Sequence, residues 1–146
     1  MLNEFQEKKY IEFIEAIKNK ENLMLSSEDR NVGKTYLLNE IAFELQAIGH
    51  EVYILTLSPQ KEYFANGYVS FNEEDYIGKL NSNSVVVADE TRQYMMLDLL
   101  RYCFAKQIPV IGFVNYTEPY KVNKNTVASF KTEYDCQWIG GNYKLW

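Results

Sequence analysis

The chain has 146 residues, of which 47% are hydrophobic, and a formal net charge of −5. This length is typical of one domain, so we expect residues 1–146 to form a single unit. The acidic balance argues against a domain that clamps duplex nucleic acid by charge alone, because phosphate contacts need clustered Lys and Arg. Two cysteines, Cys103 and Cys136, are too few for a four-ligand zinc site and indicate a reducing compartment.

The N-terminus carries acidic residues and no long apolar run, which is not the pattern of a signal peptide. No apolar run elsewhere approaches the length of a membrane span. We therefore expect a cytoplasmic protein that has no membrane partner.

Apolar residues in the first part of the chain recur at helical spacing and then in short continuous runs. The N-terminal segment 1–20 is expected to be mostly helical. The predicted elements are a helix over 3–19, a strand over 22–26, a helix over 33–48 and a strand over 51–57.

The same alternation continues to the C-terminus and predicts an α/β domain with a mainly parallel sheet of about five strands. In the helix over 92–107, Leu97, Leu100 and Phe104 are expected to face inward. The remaining predicted elements are a short strand over 68–71, a short helix from Asn72 through Leu80, a buried strand over 85–88, the helix over 92–107, a strand over 110–114, a helix over 121–131 and a glycine-turned β-hairpin within 132–146.

A polar loop between the first strand and the second helix ends in Gly33-Lys34-Thr35. This is the layout of a phosphate-binding loop. Lys34 would reach the β- and γ-phosphates of a nucleotide, and Thr35 would hold Mg²⁺. The loop amides and the positive end of the helix would cradle the anion. The residues expected to contact the nucleotide are Asp29, Arg30, Asn31, Val32, Gly33, Lys34 and Thr35.

The loop departs from the usual motif at its start. The motif begins with Gly five residues before the Gly-Lys pair, and Glu28 occupies that position here. Glu28 and Asp29 place two carboxylates near the phosphates, and their repulsion would weaken binding unless they face solvent or Arg30. A loop that binds nucleotide without hydrolysing it is therefore an open alternative.

A second motif follows the predicted strand over 85–88, which ends in Asp89-Glu90. A carboxylate after a buried strand lies at the edge where open α/β sheets bind ligands. Asp89 would bind Mg²⁺, usually through water. Glu90 would orient a water molecule for attack on the γ-phosphate.

Together the two motifs resemble the P-loop NTPases that have an added strand between them and a catalytic glutamate, over about residues 20–117. Within that class, residues 26–35 are similar to the variant loops of viral large-terminase and helicase-like ATPases. Those loops often lack the first Gly and carry an Arg before the Gly-Lys pair. The resemblance implies a three-layer P-loop NTPase fold, a phosphate-stabilising role for Arg30, and a γ-phosphate-sensing role for Asn115, with Thr117 as the second choice.

We therefore expect Mg²⁺-dependent ATP hydrolysis, with Glu90, Lys34, Arg30 and Asn115 as the catalytic residues. The resemblance alone suggests that the protein acts with nucleic-acid or phage-type machinery, in the host cytoplasm if it is viral. A protein partner or a homo-oligomer stays open. The chain is too short for a packaging motor with a nuclease domain.

Two other functions remain open. A nucleoside or small-molecule kinase is one, because thymidine kinases share a phosphate loop followed by a strand ending in Asp-Glu. Their zinc-binding cysteines have no counterpart in this chain. The other is a regulator that keeps the fold, binds a protein partner and does not hydrolyse nucleotide.

Overall fold

The computed structural model describes residues 2–26, 33–56, 67–70, 72–91, 97–114 and 136–139 of the chain. Helices alternate with strands from α1 to β2 and again from β4 to β5, as the sequence predicts. In chain order the elements are α1 (Glu4–Lys18), β1 (Asn22–Ser26), α2 (Lys34–Ala47), β2 (Glu51–Thr56), β3 (Tyr68–Ser70), a 3-10 helix (Glu73–Asp75), β4 (Ser84–Thr91), α3 (Leu97–Lys106), β5 (Val110–Val114) and β6 (Cys136–Ile139).

The strands form one six-stranded sheet in the order β3-β2-β4-β5-β1-β6. Neighbouring strands are parallel in each pairing, so their carboxyl ends meet at one edge. β5 follows β4 in the chain yet lies between β1 and β4. The sheet thus brings the ends of β1 and β4 to the same edge and separates them by one strand.

Side chains of β4 alternate between the two faces of the sheet, because successive residues of a strand point in opposite directions. Val85 and Val87 pack in a core with α1 and α2, whereas Val86 and Ala88 pack in a second core with α3. Helices therefore cover both faces, and the predicted three-layer α/β fold is confirmed. None of the helices within the described ranges is long and apolar enough to cross a membrane.

Two sequence signals fix the starts of α1 and α2. Asn3 caps α1 in a capping box, in which its side chain accepts from the Gln6 amide and the Gln6 side chain accepts from the Asn3 amide. Gly33 precedes α2 in the left-handed conformation, with φ 92° and ψ 16°. Glycine adopts this conformation without the Cβ penalty that other residues incur.

The polar stretch before β4 differs from its prediction. Asn72 does act as a cap, because its side chain accepts from the Glu74 amide at 3.2 Å. The helix that follows is only the 3-10 turn Glu73–Asp75 rather than a helix through Leu80. Gly78, with φ 91°, lies in the turn that replaces the rest of that predicted helix.

The described part of α3 begins at Leu97, and residues 92–96 of the predicted helix lie outside the described residues. Leu99 and Cys103, four residues apart, are fully buried against the sheet. The side chains predicted to face inward, those of Leu97, Leu100 and Phe104, also lie outside what the structure describes. The sequence pattern had not selected Leu99 and Cys103.

The C-terminal segment contributes β6, which pairs in parallel with β1 at the edge of the sheet. With β3 at the opposite edge, it brings the strand count to six, one more than expected. The rest of the predicted hairpin, residues 132–135 and 140–146, lies outside the described residues, as does the predicted helix over 121–131.

Candidate functional site

The central contact of the candidate site joins the start of α2 to Asp89 in β4. The Thr35 hydroxyl donates a 2.7 Å hydrogen bond to Oδ2 of Asp89, 54 residues further along the chain. Asp89 is 1% exposed. A buried carboxylate is costly unless hydrogen bonds or a cation stabilise its charge, so this position indicates a specific role for Asp89.

The start of α2 lies beside this contact. Gly33 provides no side chain that could cap the first amides of the helix. These amides point away from the helix, and the helix dipole adds partial positive charge at the same end. Lys34, the first residue of α2, is only partly buried. The combination is suited to binding an anionic group in front of the helix.

Gln6, in the first turn of α1, also contacts Gly33. Its Nε2 donates to the Gly33 carbonyl oxygen at 3.4 Å, and the Gln6 side chain is buried, with 2% exposure. The same carbonyl accepts the first backbone hydrogen bond of α2, from the Leu37 amide at 3.0 Å. The first turn of α1 therefore contacts the residue that starts α2, a contact that the sequence had not suggested.

β4 contains an extra residue where the two acidic residues lie. Its register with β5 passes from Ala88–Gly112 to Thr91–Val114, so three steps along β4 match two along β5. Such β-bulges change the direction of side chains and are common next to functional sites. The irregularity falls on Asp89 and Glu90, the two residues that the sequence assigns to the metal and to the attacking water.

Gly112 allows β4 and β5 to approach closely at this point. Its φ is 141°, and a Cβ added there would lie 1.9 Å from the Ala88 carbonyl oxygen. A side chain at this position cannot fit without separating the strands. Glycine at position 112 is thus part of the local geometry that places Asp89.

Thr56 ends β2 and is paired in register with Asp89. It is fully buried, and like Ile54 two residues earlier it faces the side of the sheet covered by α2. The sequence analysis did not select Thr56. The available signal was a polar residue near the end of a continuous apolar strand, at the edge where ligands bind.

Cys103 lies on the opposite face and takes no part in this site. Burial raises the pKa of its thiol to about 12. A thiol with so high a pKa remains protonated at neutral pH and is a poor nucleophile. Cys103 is free and acts as a core side chain.

The structure brings together part of the predicted site. Thr35 and Asp89 are in contact, and Gly33 and Lys34 stand at the start of α2. The backbone of Glu90 continues β4, one residue beyond Asp89, while its side chain lies outside what the structure describes. The other predicted site residues lie outside the described residues: Asp29, Arg30, Asn31, Val32 and Asn115, together with Glu28 and Thr117.

The donor set at this edge fits Mg²⁺. Mg²⁺ prefers oxygen ligands, keeps several waters and often takes only one or two protein ligands in addition to substrate phosphates. The hydroxyl of Thr35 and the carboxylate of Asp89 are such ligands, and they lie within one hydrogen bond of each other. Among the described residues, no group of three or more His, Cys, Asp or Glu could form a larger metal centre.

Comparison with solved structures identifies the same fold in proteins of very different sequence. A chain in the structure of Drosophila ORC bound to DNA matches with a TM-score of 0.58 and 11% identity, over 99% of this chain and 95% of that one. A chain in the structure of Drosophila ORC bound to GC-rich DNA and Cdc6 matches with a TM-score of 0.56 and 11% identity, over 96% of this chain and 56% of that one. No protein-family model and no curated protein matches the sequence.

The likeness and the parallel sheet define the class of fold. The chain has a three-layer α/β architecture like that of these ORC chains, with Gly33-Lys34-Thr35 at the start of the helix that follows β1. At 11% identity the comparison establishes the fold alone.

Proposed function

We propose that the protein binds ATP with Mg²⁺ at the start of α2 and hydrolyses it. The observation that carries this proposal is the Thr35–Asp89 hydrogen bond, 2.7 Å long. It joins the last residue of the Gly-Lys-Thr triplet to the acid that follows the buried residues 84–88 of β4. Two sequence signals that are weak separately therefore meet at one place in the fold.

Each residue has a chemical task in this proposal. Lys34 and the first amides of α2 bind the β- and γ-phosphates. Thr35 and Asp89 would hold Mg²⁺, and the chemistry that the ion would supply there is neutralisation of phosphate charge. Glu90 orients the attacking water and accepts its proton.

Sheet order supports a finer class within the fold. β5 lies between β1 and β4, which carry the two motifs. An added strand at this place is typical of the P-loop NTPases with a catalytic glutamate, the class that the sequence resembles. We propose this class for the chain, with Arg30 stabilising phosphate charge and Asn115 sensing the γ-phosphate.

Titration calorimetry with ATP, ADP and GTP, with and without Mg²⁺, tests the binding part of the proposal. Lys34→Ala should weaken ATP binding roughly tenfold to a hundredfold, the usual contribution of a charged hydrogen-bond donor. Lys18→Ala is the control, because Lys18 is an exposed lysine in the last turn of α1. Equal ATP affinity in the parent and in Lys34→Ala would contradict the phosphate-loop assignment.

Single-turnover hydrolysis tests the catalytic part and separates the rival functions. Glu90→Gln should keep ATP binding and slow hydrolysis roughly a hundredfold, because a positioned base contributes on that scale. Binding without turnover in the parent, with any nucleic acid or protein partner, would favour the regulator. Transfer of the γ-phosphate to an added nucleoside rather than to water would favour the kinase.

We further propose that nucleic acid is a partner of the ATPase. The proposal rests on the sequence resemblance to terminase and helicase-like ATPases and on the structural likeness to ORC chains from structures that contain DNA. The net charge of −5 implies a local basic patch or a partner protein at that contact. ATP turnover measured with and without single- and double-stranded DNA tests it, and identical rates would count against it.

A further inference from the structure

We propose that Gln6 is a positioning residue for the phosphate site, through which the first turn of α1 fixes the peptide that starts α2. This inference rests on the proposed function. It adds a role for an element that precedes β1 and lies outside both sequence motifs.

The contacts of Gln6 use both ends of its side-chain amide. Oε1 accepts from the Asn3 amide at 2.9 Å and completes the capping box of α1. Nε2 donates to the Gly33 carbonyl oxygen at 3.4 Å. Gln6 therefore connects the capped start of one helix to the start of the next, 27 residues away.

Because Gln6 is buried, both ends of its side-chain amide need hydrogen-bond partners. Only 2% of Gln6 is exposed, and a buried amide is costly unless it is hydrogen-bonded. A capping box by itself needs only the acceptor oxygen of the Gln6 side chain. The donor end of the amide is directed at Gly33 and is not needed to cap α1.

The geometry of the peptide unit links the contact between Gln6 and Gly33 to phosphate binding. The unit between Gly33 and Lys34 is planar, so the direction of its carbonyl fixes the direction of the Lys34 N–H. Gln6 and the Leu37 amide both donate to that carbonyl. They hold the Lys34 N–H in the opposite direction, out of the start of α2, where an anion is bound in the proposed function.

The alternative is that Gln6 only stabilises α1. Asn3 separates the two roles, because its side chain caps α1 by accepting from the Gln6 backbone amide at 2.8 Å, whereas the contact with Gly33 uses Nε2 of the Gln6 side chain. Asn3→Ala should destabilise α1 and leave the Gln6–Gly33 contact in place. It is therefore the matched control for changes at Gln6.

Two variants remove the donor. Gln6→Glu keeps an acceptor for the Asn3 amide and loses the donor to Gly33. Gln6→Met has a similar length and no polar group, and it carries the test if the buried carboxylate of the first variant prevents folding. Circular dichroism and thermal unfolding establish that each variant is folded.

The readout is the affinity for MgATP and for inorganic tripolyphosphate, measured by calorimetry. Both Gln6 variants should bind both ligands roughly three- to tenfold more weakly than the parent, the usual effect of one hydrogen bond. Asn3→Ala should lower the thermal midpoint and bind both ligands as the parent does. Tripolyphosphate lacks the nucleoside of ATP, so its affinity reports on the phosphate site alone.

Three results would overturn the inference. Parent-like binding of both ligands by Gln6→Met would exclude a positioning role. An equal loss in Asn3→Ala would reduce the effect to helix stability. A lower affinity for ATP with an unchanged affinity for tripolyphosphate would mean that Gln6 acts on the nucleoside part of ATP instead of the phosphates. If the parent binds neither ligand, the proposed function fails as well, which distinguishes that outcome from the other three.

Discussion

The two faces of the sheet carry different chemistry, although they share the same strands. On the face covered by α1 and α2, the core is aliphatic and aromatic, and its polar groups gather at the carboxyl edge, where Thr35 contacts Asp89. On the face covered by α3, polar groups lie within the core, where the Tyr76 hydroxyl lies 2.8 Å from the Ile54 carbonyl oxygen and 2.7 Å from that of Tyr68.

This difference between the faces predicts which substitutions affect stability and which affect ligand binding. On the α3 face, the Tyr76 hydroxyl ties strands β2 and β3 to the segment that precedes β4, inside a hydrophobic core. The hydrogen bonds on the α2 face lie where a helix begins and a strand ends, and a ligand can reach them there. Substitutions on the α3 face should therefore change the free energy of unfolding, and those at the α2 edge should change ligand binding.

The largest effect is expected at Gly112, which underlies both faces. Gly112→Ala places a Cβ 1.9 Å from the Ala88 carbonyl oxygen at a φ of 141°, so β4 and β5 must separate. We expect a loss of about 3 kcal/mol or more in the free energy of unfolding, measured with urea.

Gly49→Ala is the control for Gly112→Ala. Its φ is also positive, at 100°, but an added Cβ would meet nothing within 4 Å. It should cost only about 1 kcal/mol, the usual penalty for a left-handed residue with a side chain. Equal losses in the two variants would mean that strand approach at Gly112 has no special role.

The second effect is a loss of function with little loss of stability. Asp89→Asn keeps an acceptor for the Thr35 hydroxyl and removes the charge that faces Mg²⁺. MgATP affinity should fall about ten- to a hundredfold, as is typical for a group that holds a metal through water. Asp98→Asn, at an exposed position in the first turn of α3, should bind as the parent does. A large fall in thermal stability in Asp89→Asn would contradict the separation.

The third effect is the converse, a loss of stability without a loss of function. Tyr76→Phe removes the hydroxyl that lies between two backbone carbonyls and leaves the ring in its core. We expect about 1 to 2 kcal/mol lower stability in urea and unchanged ATP affinity. Tyr102→Phe, at the edge of the same core, should cost less. Weaker ATP binding in Tyr76→Phe would show that the two faces are coupled.

The smallest effect concerns pH on the α3 face. Burial raises the pKa of Glu73, Asp98 and Glu74 raise it further by repulsion, and the hydrogen bond from the Leu99 amide partly opposes them. Since the folded-state pKa is above the unfolded one, ionised Glu73 lowers stability above the raised pKa. That loss disappears as the pH falls through the raised pKa towards the ordinary value of 4.5.

Glu73→Gln should therefore raise the thermal midpoint slightly at neutral pH, because an amide oxygen still accepts from the Leu99 amide. The difference from the parent should vanish in acid. Glu74→Gln changes the same charge at an exposed position and serves as the control. Thermal unfolding from pH 4 to pH 8 measures both, and a pH-independent difference for Glu73→Gln would refute the assignment.

Local patterns predicted the elements well where apolar residues run without interruption. β1 spans residues 22–26 as predicted, and α2 begins one residue after its predicted start at Gly33. The same local logic placed Thr35 and Asp89 at one edge, because parallel strands end together. Where the sequence is polar, as in the stretch after Asn72, the pattern overestimated the helix, since Gly78 turns the chain.

Features that depend on packing between distant segments were not predictable. The contact of Gln6 with Gly33 requires that α1 docks against the start of α2, and no residue in the first turn of α1 indicates this. The bulge in β4 depends on Gly112 in the next strand. Thr56 becomes a site candidate only when its register with Asp89 is known.

The central claim is that Thr35 and Asp89 act together on one Mg²⁺ beside bound ATP. A double-mutant cycle of Thr35→Val and Asp89→Asn, read as MgATP affinity by calorimetry, tests it most directly. If both residues hold one ion, each single variant should bind MgATP less tightly than the parent. The double variant should then have nearly the same MgATP affinity as the single variant with the lower affinity. Additive losses would contradict joint action on one ion, and parent-like MgATP binding in both single variants would contradict the site itself.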